Sequence, residues 1–355
     1  MQNSHSYETY LTLKAQNPGK YAVDIANLMG ISEAELAHIR IGFETTRLDI
    51  DAKTLLKHLT PVGKLKAITR NPYAVSEQIG TYDNLNLNGH AGLVLTPRDI
   101  DLRIFFSQWQ HFFAFNETYE TKSLEKKVRK SIQIFNAQGQ AIHKIYAIDE
   151  TDIQAYDKLI EEFRIDELTP LEISPKITAQ NNEQTQIPDA AQFEQKWRDL
   201  NDVHDFYGLL KEYALSRQQA FKLVSDDLAY QISPSALNDF LLSIQKMQNE
   251  IMFFVSNPGC VQIFTGKLEK VVMMKGWLNI FNREFTLHID IDFVKEAWIT
   301  RKPTKDGIVT SLELFAEDGT QILQMYGQRT EGTPEQIIWR NQLQTLPVIT
   351  QSVEA

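Results

Sequence analysis

At 355 residues the chain is too long for one compact core and comfortable for two. Its 43% hydrophobic and 23% charged residues are those of an ordinary globular protein, and a formal net charge of -10 argues against a general nucleic-acid or anionic-membrane surface. The single Cys260 excludes an internal disulfide framework and a cysteine metal cluster. No apolar stretch reaches bilayer length, and Met1–Ser6 lacks a secretory pattern, so the expected location is cytoplasmic.

Residues 7–60 read as helical. Tyr10, Leu11 and Leu13, then Tyr21, Ile25, Leu28 and Met29, recur at helical spacing, and Gly30 interrupts them. Ser32 with Glu35 forms a capping box for a helix through Leu36 and Ile39. Residues 25–35 superficially resemble a helix-turn-helix, but Glu33 and Glu35 would meet phosphates with the wrong charge. A packed helical hairpin is the better reading.

From about Lys64 to Ala147 the pattern becomes strand-like. Asn71-Pro72 and Gly89 punctuate short apolar runs at 92–95, 102–106 and 111–115. Residues 131–135 and 142–146 flank Asn136–Gly139, a hairpin signal. Lys126–Lys130 reads as a solvated strand end, His90 as a turn or strand residue, and 153–163 as a helix. Residues 165–190, with Pro170, Pro175 and Pro188, read as an exposed linker.

Helices are expected over 192–245. Phe193, Trp197, Leu200, His204 and Tyr207 fall at steps of three and four, which places His204 within an apolar helix face. By periodicity alone a satisfied core histidine is the stronger reading, with a metal ligand as the alternative. Ser216 with Gln219 makes another capping box and puts Arg217 in a first helical turn, a good seat for an anion.

Strands then return, and the second block repeats the first. Ser311–Gly327 lines up with Ser131–Ala147 at a constant offset of 180 residues without a gap. Asn257-Pro258 answers Asn71-Pro72, and Leu287–Asp290 answers Leu102–Phe105. This is a domain-sized duplication. The expected fold class is α+β: two helix-plus-large-antiparallel-sheet halves with stacked sheets. The expected boundaries are 1–168, a linker over 169–190, and 191–355. Matching Leu13-Lys14 to Leu210-Lys211 sets Tyr7 opposite His204 and Lys20 near the counterpart of Arg217, while Arg103 answers His288. The chemistry-bearing residues differ between the halves, which favours one principal site.

There is no phosphate-binding glycine loop, no G-x-S-x-G elbow and no His-Glu-x-x-His helix. What the chain does carry is Asn17–Tyr21, Met29–Leu36, Leu87–Leu93, Asp101–Phe105, Asp202–Phe206, Arg217–Phe221 and Arg301–Thr304, in order. Through these stretches it resembles the bacterial haemin-degrading and haem-utilisation family (HemS/ChuS type) over nearly its full length.

The resemblance implies haem in a cleft near the C-terminal half. It makes His204 the axial ligand of the haem iron, Arg103 a distal arginine, and Arg217 and Lys302 partners of the haem propionates. Tyr326 and Arg329 are weaker transfers to the propionate or distal side. A departure falls at Ser76, where the family pattern has a histidine, so a secondary haem contact there would be lost.

These roles suit the side chains. A neutral imidazole can give one nitrogen lone pair to iron while the other N–H needs an acceptor. Arg103 keeps its proton and suits hydrogen bonding to what binds the iron. Phe105 alternates with Arg103 on a strand and so faces the same way, which favours it over Phe106 as a wall for the macrocycle.

The resemblance implies haem as substrate as well as ligand. Its ring would be opened and its iron released, either with oxygen or reductively with NADH. His204 and Arg103 would then act in catalysis, and the external electron donor is unidentified. The alternative is a non-enzymatic haem carrier. Implied partners are an inner-membrane haem importer and a reductase, with no nucleic acid and no integral membrane segment; oligomeric state is undefined.

Overall fold

The computed structural model describes residues 2–121, 123–166, 169–175, 189–330 and 332–349, without the side chains of residues 2–6. Most of the expected linker, residues 176–188, lies outside the described residues. The chain divides into two compact units. Unit 1 holds Met1–Arg70, Glu77–Thr178 and Asn257–Gln262, and unit 2 holds Asn71–Ser76, Ala179–Ser256 and Ile263–Ala355.

Unit 1 begins with α1 (Gln2–Gln16), α2 (Ala22–Met29), α3 (Glu33–Ile39), β1 (Thr45–Leu48) and α4 (Ala52–Leu59). The expectation of helix throughout 7–60 therefore misses a short strand. There the β-branched pair Thr45-Thr46 pairs with Phe115 and Ala114, so tertiary pairing decides. The capping box is present: Ser32 Oγ accepts from Glu35 N, and the Glu35 carboxylate accepts from Ser32 N. Helix α4 starts where Asp51 accepts from the backbone of Lys53 and Thr54, and it buries Ala52, Leu55, Leu56 and Leu59. Each such leucine contributes roughly 1.5–3 kcal/mol of burial.

The strands that follow are β2 (Gly63–Arg70), β3 (Ala74–Gly80), β4 (Leu85–Asn86), β5 (Ala91–Leu95), β6 (Asp101–Phe105), β7 (His111–Glu120), β8 (Lys126–Phe135) and β9 (Ala141–Thr151); α5 (Ile153–Phe163) closes the unit. The strand order β1-β7-β8-β9-β2-β3 is a large sheet, and β4-β5-β6 run side by side. A core of Leu55, Leu65, Leu102, Ile104, Ile132 and Ile145 lies under them.

Unit 2 repeats this plan. It runs α6 (Ala190–Arg198), α7 (Asp205–Glu212), α8 (Arg217–Leu223), β10 (Ala229–Ile232), α9 (Leu237–Met247), β11 (Ile251–Asn257), β12 (Cys260–Gly266), β13 (Val271–Met274), β14 (Trp277–Phe281), β15 (Phe285–Asp290), β16 (Glu296–Thr304), β17 (Gly307–Phe315), β18 (Gln321–Gly327) and α10 (Ile337–Gln344). The large sheet has the order β10-β16-β17-β18-β11-β12, matching unit 1 strand for strand.

The likeness extends to detail. The β8–β9 ladder shifts register between Ile134 and Phe135, and the β17–β18 ladder shifts between Leu314 and Phe315, 180 residues later. Asn71 accepts from the N–H of Tyr73 and Ala74 and donates to the carbonyls of Ser256 and Ile322. Asn257 accepts from Gly259 and Cys260 and donates to Arg70 and Ile142. The architecture is thus α+β with a large antiparallel sheet in each unit, as the repeat predicts.

Candidate functional site

The helix carrying His204 differs from the expected one. Helix α6 ends at Arg198 and α7 begins at Asp205, so Phe193 and Trp197 are buried while His204 and Tyr207 are not. The His204 side chain is 89% exposed. The cause is local. Asn201 Nδ2 donates to the Asp199 carbonyl at 3.3 Å, and the Asp202 carboxylate accepts from the His204 N–H at 2.9 Å, forming a turn that interrupts the helix. His204 therefore occupies the N-cap position of α7, with no capping bond from its side chain, instead of lying in an apolar stripe.

The same carboxylate oxygen lies 2.6 Å from His204 Nδ1. An ionised carboxylate only accepts, so Nδ1 donates to it, and in the neutral imidazole the remaining lone pair belongs to Nε2. The backbone N–H of His204 is the leading cause that holds the Asp202 carboxyl below its ordinary range. An exposed imidazole oriented through Nδ1 has the donor chemistry that a soft metal takes.

Two residues beyond His204, Phe206 of α7 lies buried beneath two cations. The Arg217 guanidinium sits 5.2 Å from the Phe206 ring and the Lys302 ammonium 4.8 Å. Arg217 stands at the start of α8, behind the expected capping box of Ser216 and Gln219. Lys302 comes from β16. Along β16, β17 and β18, Thr300, Ser311 and Tyr326 form one cross-strand row, with Glu313 opposite Gln324 in the next.

Both cations converge on Glu313, whose side chain is fully buried. Glu313 accepts from Arg217 Nε at 2.7 Å and Nη2 at 3.1 Å, and from Lys302 Nζ at 3.1 Å. It also accepts from Ser311 at 2.9 Å and Gln321 at 2.8 Å. Burial by itself raises this carboxyl, but Arg217 and then Lys302 outweigh it and hold Glu313 far below the usual range. Burial drives Lys302 down to about 8, with Glu313 opposing the fall. Both cations, Arg217 expected as an anion seat from its helix start and Lys302 from the resemblance, are already paired with Glu313. Arg217 is partly exposed, and Lys302 is 2% exposed and turned inward.

The remaining candidates fall as follows. Tyr326 donates to Gln324 Oε1 at 3.1 Å, and burial raises its phenol. Arg329 Nη1 lies 3.6 Å from Asp306 Oδ2. In unit 1, Arg103 and Phe105 occupy the outer side of β6 while Leu102 and Ile104 are buried, as alternation requires. The Arg103 guanidinium pairs with Asp101 and donates to the Leu102 carbonyl at 3.2 Å. Ser76 is buried. Glu313 and Asp202 were missed from sequence; the signal for Glu313 was a carboxylate on the inward positions of a strand that otherwise carries Ser311 and apolar residues.

The duplication also pairs residues differently from the expectation. The cap of α2 is Tyr21, so the counterpart of His204 is Tyr21 and not Tyr7; the continuous α1 answers α6 instead. The first residue of α3 is Glu33, which answers Arg217 in place of Lys20. Phe115 pairs with Ser131 as Thr300 pairs with Ser311, which sets Glu117 opposite Lys302 in the repeat. Unit 1 therefore carries carboxylates where unit 2 carries cations. Glu33 is paired with Arg70 at 2.7 Å, and Glu117 with Arg40 at 2.7 Å and Arg129 at 2.9 Å.

Among the described residues no helix is long and apolar enough to cross a membrane, and no cluster of three or more metal-binding side chains occurs. A model of the haemin-degrading HemS.ChuX domain matches residues 30–163 and again 214–346. The chain is 54% identical to the hemin transport protein HmuS of Yersinia pestis, covering 97% of this chain and 98% of that one. It superposes on the heme degrading enzyme ChuS of Escherichia coli O157:H7 with a TM-score of 0.90 at 53% identity, covering 97% and 99% of the two chains. The heme-binding protein PhuS of Pseudomonas aeruginosa gives a TM-score of 0.91 at 35% identity, over 98% and 99%.

Proposed function

Because the chain belongs to the haemin-degrading HemS.ChuX family, we propose that it binds haem through His204 and opens the ring, releasing iron for the cell. The observation that carries this is the His204 imidazole, exposed at the cap of α7 with Nδ1 held by Asp202 and Nε2 free. Arg217, at the partly exposed start of α8, gives a propionate a guanidinium to pair with. Tyr326 and Arg329 follow along the same unit as further polar contacts for the haem carboxylates. Arg103 would supply hydrogen bonds where negative charge develops during ring opening, and Phe105 beside it a wall for the macrocycle.

The relative named a heme degrading enzyme, at 53% identity over 97% of the chain, supports degradation. A carrier is the second reading, favoured by the relatives named for transport and for binding. In either case the protein would work in the cytoplasm, receiving haem from a membrane importer, and the degrading reading adds a reductase as electron donor.

The deciding experiment incubates the haem complex with a reductant and catalase, with and without oxygen. Loss of the Soret band with appearance of an open-chain tetrapyrrole supports degradation, and the oxygen dependence separates oxidative from reductive opening. Persistence of the band under every condition leaves the carrier. If His204→Ala leaves the haem spectrum unchanged, the ligand assignment fails.

A further inference from the structure

Resting on the haem reading above, we propose that Glu313 sets how tightly unit 2 holds a carboxylate-bearing ligand, by competing with it for Arg217 and Lys302. Glu313 occupies two donor atoms of Arg217, Nε and Nη2, and takes the Lys302 ammonium as well. Lys302 is further anchored inward by Thr300 Oγ1 at 2.6 Å. The three charged side chains therefore carry one net positive charge between them. A ligand carboxylate reaching the partly exposed Arg217 meets a guanidinium already paired on its inner edge. Engaging Lys302 as well requires it to leave Glu313, and a buried carboxylate stripped of its partner is costly.

Binding is thus an exchange of one carboxylate for another. The trio suits one ligand carboxylate, and its grip is weakened by the internal competitor.

The repeat shows that the strand itself does not need this acid. Gln133 stands at the position of Glu313 in unit 1, is also buried, and sits where carboxylates replace both cations. Glutamine therefore fits the same strand environment, and Glu313 belongs with the cation pair. Glu313 is a positioning and specificity residue that would act on the ligand through Arg217 and Lys302.

The test is an optical titration of the full chain with haemin and, separately, with haemin dimethyl ester, whose carboxylates are blocked. Glu313→Gln should bind haemin about tenfold more tightly, by releasing one charged pairing, and bind the ester with unchanged affinity. An unchanged or weaker haemin affinity in folded Glu313→Gln, or an equal gain for the ester, overturns the proposal.

Should Glu313→Gln fail to fold, the variant Glu313→Met keeps an unbranched side chain of similar volume without the charge and leaves both Arg217 and Lys302 to the ligand. Haemin affinity above wild type supports the competition, and an unchanged or lower affinity overturns it. If the wild-type chain binds no haemin, the haem reading falls and this proposal with it. Wild-type binding without the expected gain removes the Glu313 proposal alone.

Discussion

Oδ1 of Asp202 holds His204 twice, accepting from its backbone N–H at 2.9 Å and lying 2.6 Å from its Nδ1. One carboxylate therefore fixes both where the residue sits and which nitrogen is left free. Such partners of a metal-bound imidazole typically change affinity by roughly 10–100-fold. Asp202 is half exposed, so Asp202→Ala should weaken haem binding by about tenfold, at the low end of that range. His204→Ala should shift or abolish the haem spectrum. Spectrophotometric titration reads both, and a wild-type affinity in Asp202→Ala would show that the carboxylate serves only the turn.

Arg103 lies on β6, away from the elements that carry His204 and Arg217 in sequence. Arg103→Ala should leave haem affinity within a few-fold of wild type while slowing ring opening by roughly 100-fold, the usual size of losing a donor aimed at developing charge. A parallel loss of binding and turnover would assign Arg103 to holding the ligand instead.

The buried core of unit 1 contains a histidine whose ring nitrogens are both engaged. His143 Nε2 lies 2.7 Å from the Tyr82 hydroxyl and Nδ1 lies 2.9 Å from Thr69 Oγ1. Burial drives its pKa down to about 3 from an ordinary 6.5. The folded protein then binds fewer protons at His143 than the unfolded chain between these values. Stability should fall as pH drops from 6.5 toward 3, by up to about 1.4 kcal/mol per unit from this group. Chemical denaturation across that window should show a shallower slope in His143→Gln than in wild type. Equal slopes would show that His143 does not contribute.

The paired asparagines give a prediction that depends on the duplication. Asn71 and Asn257 each satisfy two backbone N–H groups in equivalent places, and their amides donate to three and two backbone carbonyls respectively. Leaving such groups unpaired costs roughly 1–3 kcal/mol. Asn71→Ala and Asn257→Ala should therefore each lower stability by about 2 kcal/mol, and by similar amounts. Urea unfolding measures this; a large effect from one and none from the other would contradict the equivalence.

Much of the fold was legible because it rests on local chemistry. The hairpin of β17 and β18 was visible as a copy of β8 and β9, since alternation and turn residues lie within a few positions of each other. The capping boxes at Ser32 and Ser216 were visible for the same reason. Arg103 and Phe105 share an outer strand side because a period of two admits no other outcome for that strand. The His204 environment departs from the sequence pattern because apolar spacing alone carries a helix through Asp199–Asp202. Side-chain competition for the backbone stops it there.

By itself, then, the sequence determined the duplication, the α+β class, the hairpins, the helix caps and the residue types worth suspecting. These follow from periodicities and short-range hydrogen bonds that any window of the chain contains. Only the tertiary structure decided that Arg217 and Lys302 close on Glu313, whereas His204 leaves the apolar face through a turn made by Asp202 two residues before it. Arg217 and Glu313 are separated by 96 residues and meet only when β16, β17 and β18 pair beneath α8. A contact of that span is chosen by the packing of strands and helices, and no local pattern records it.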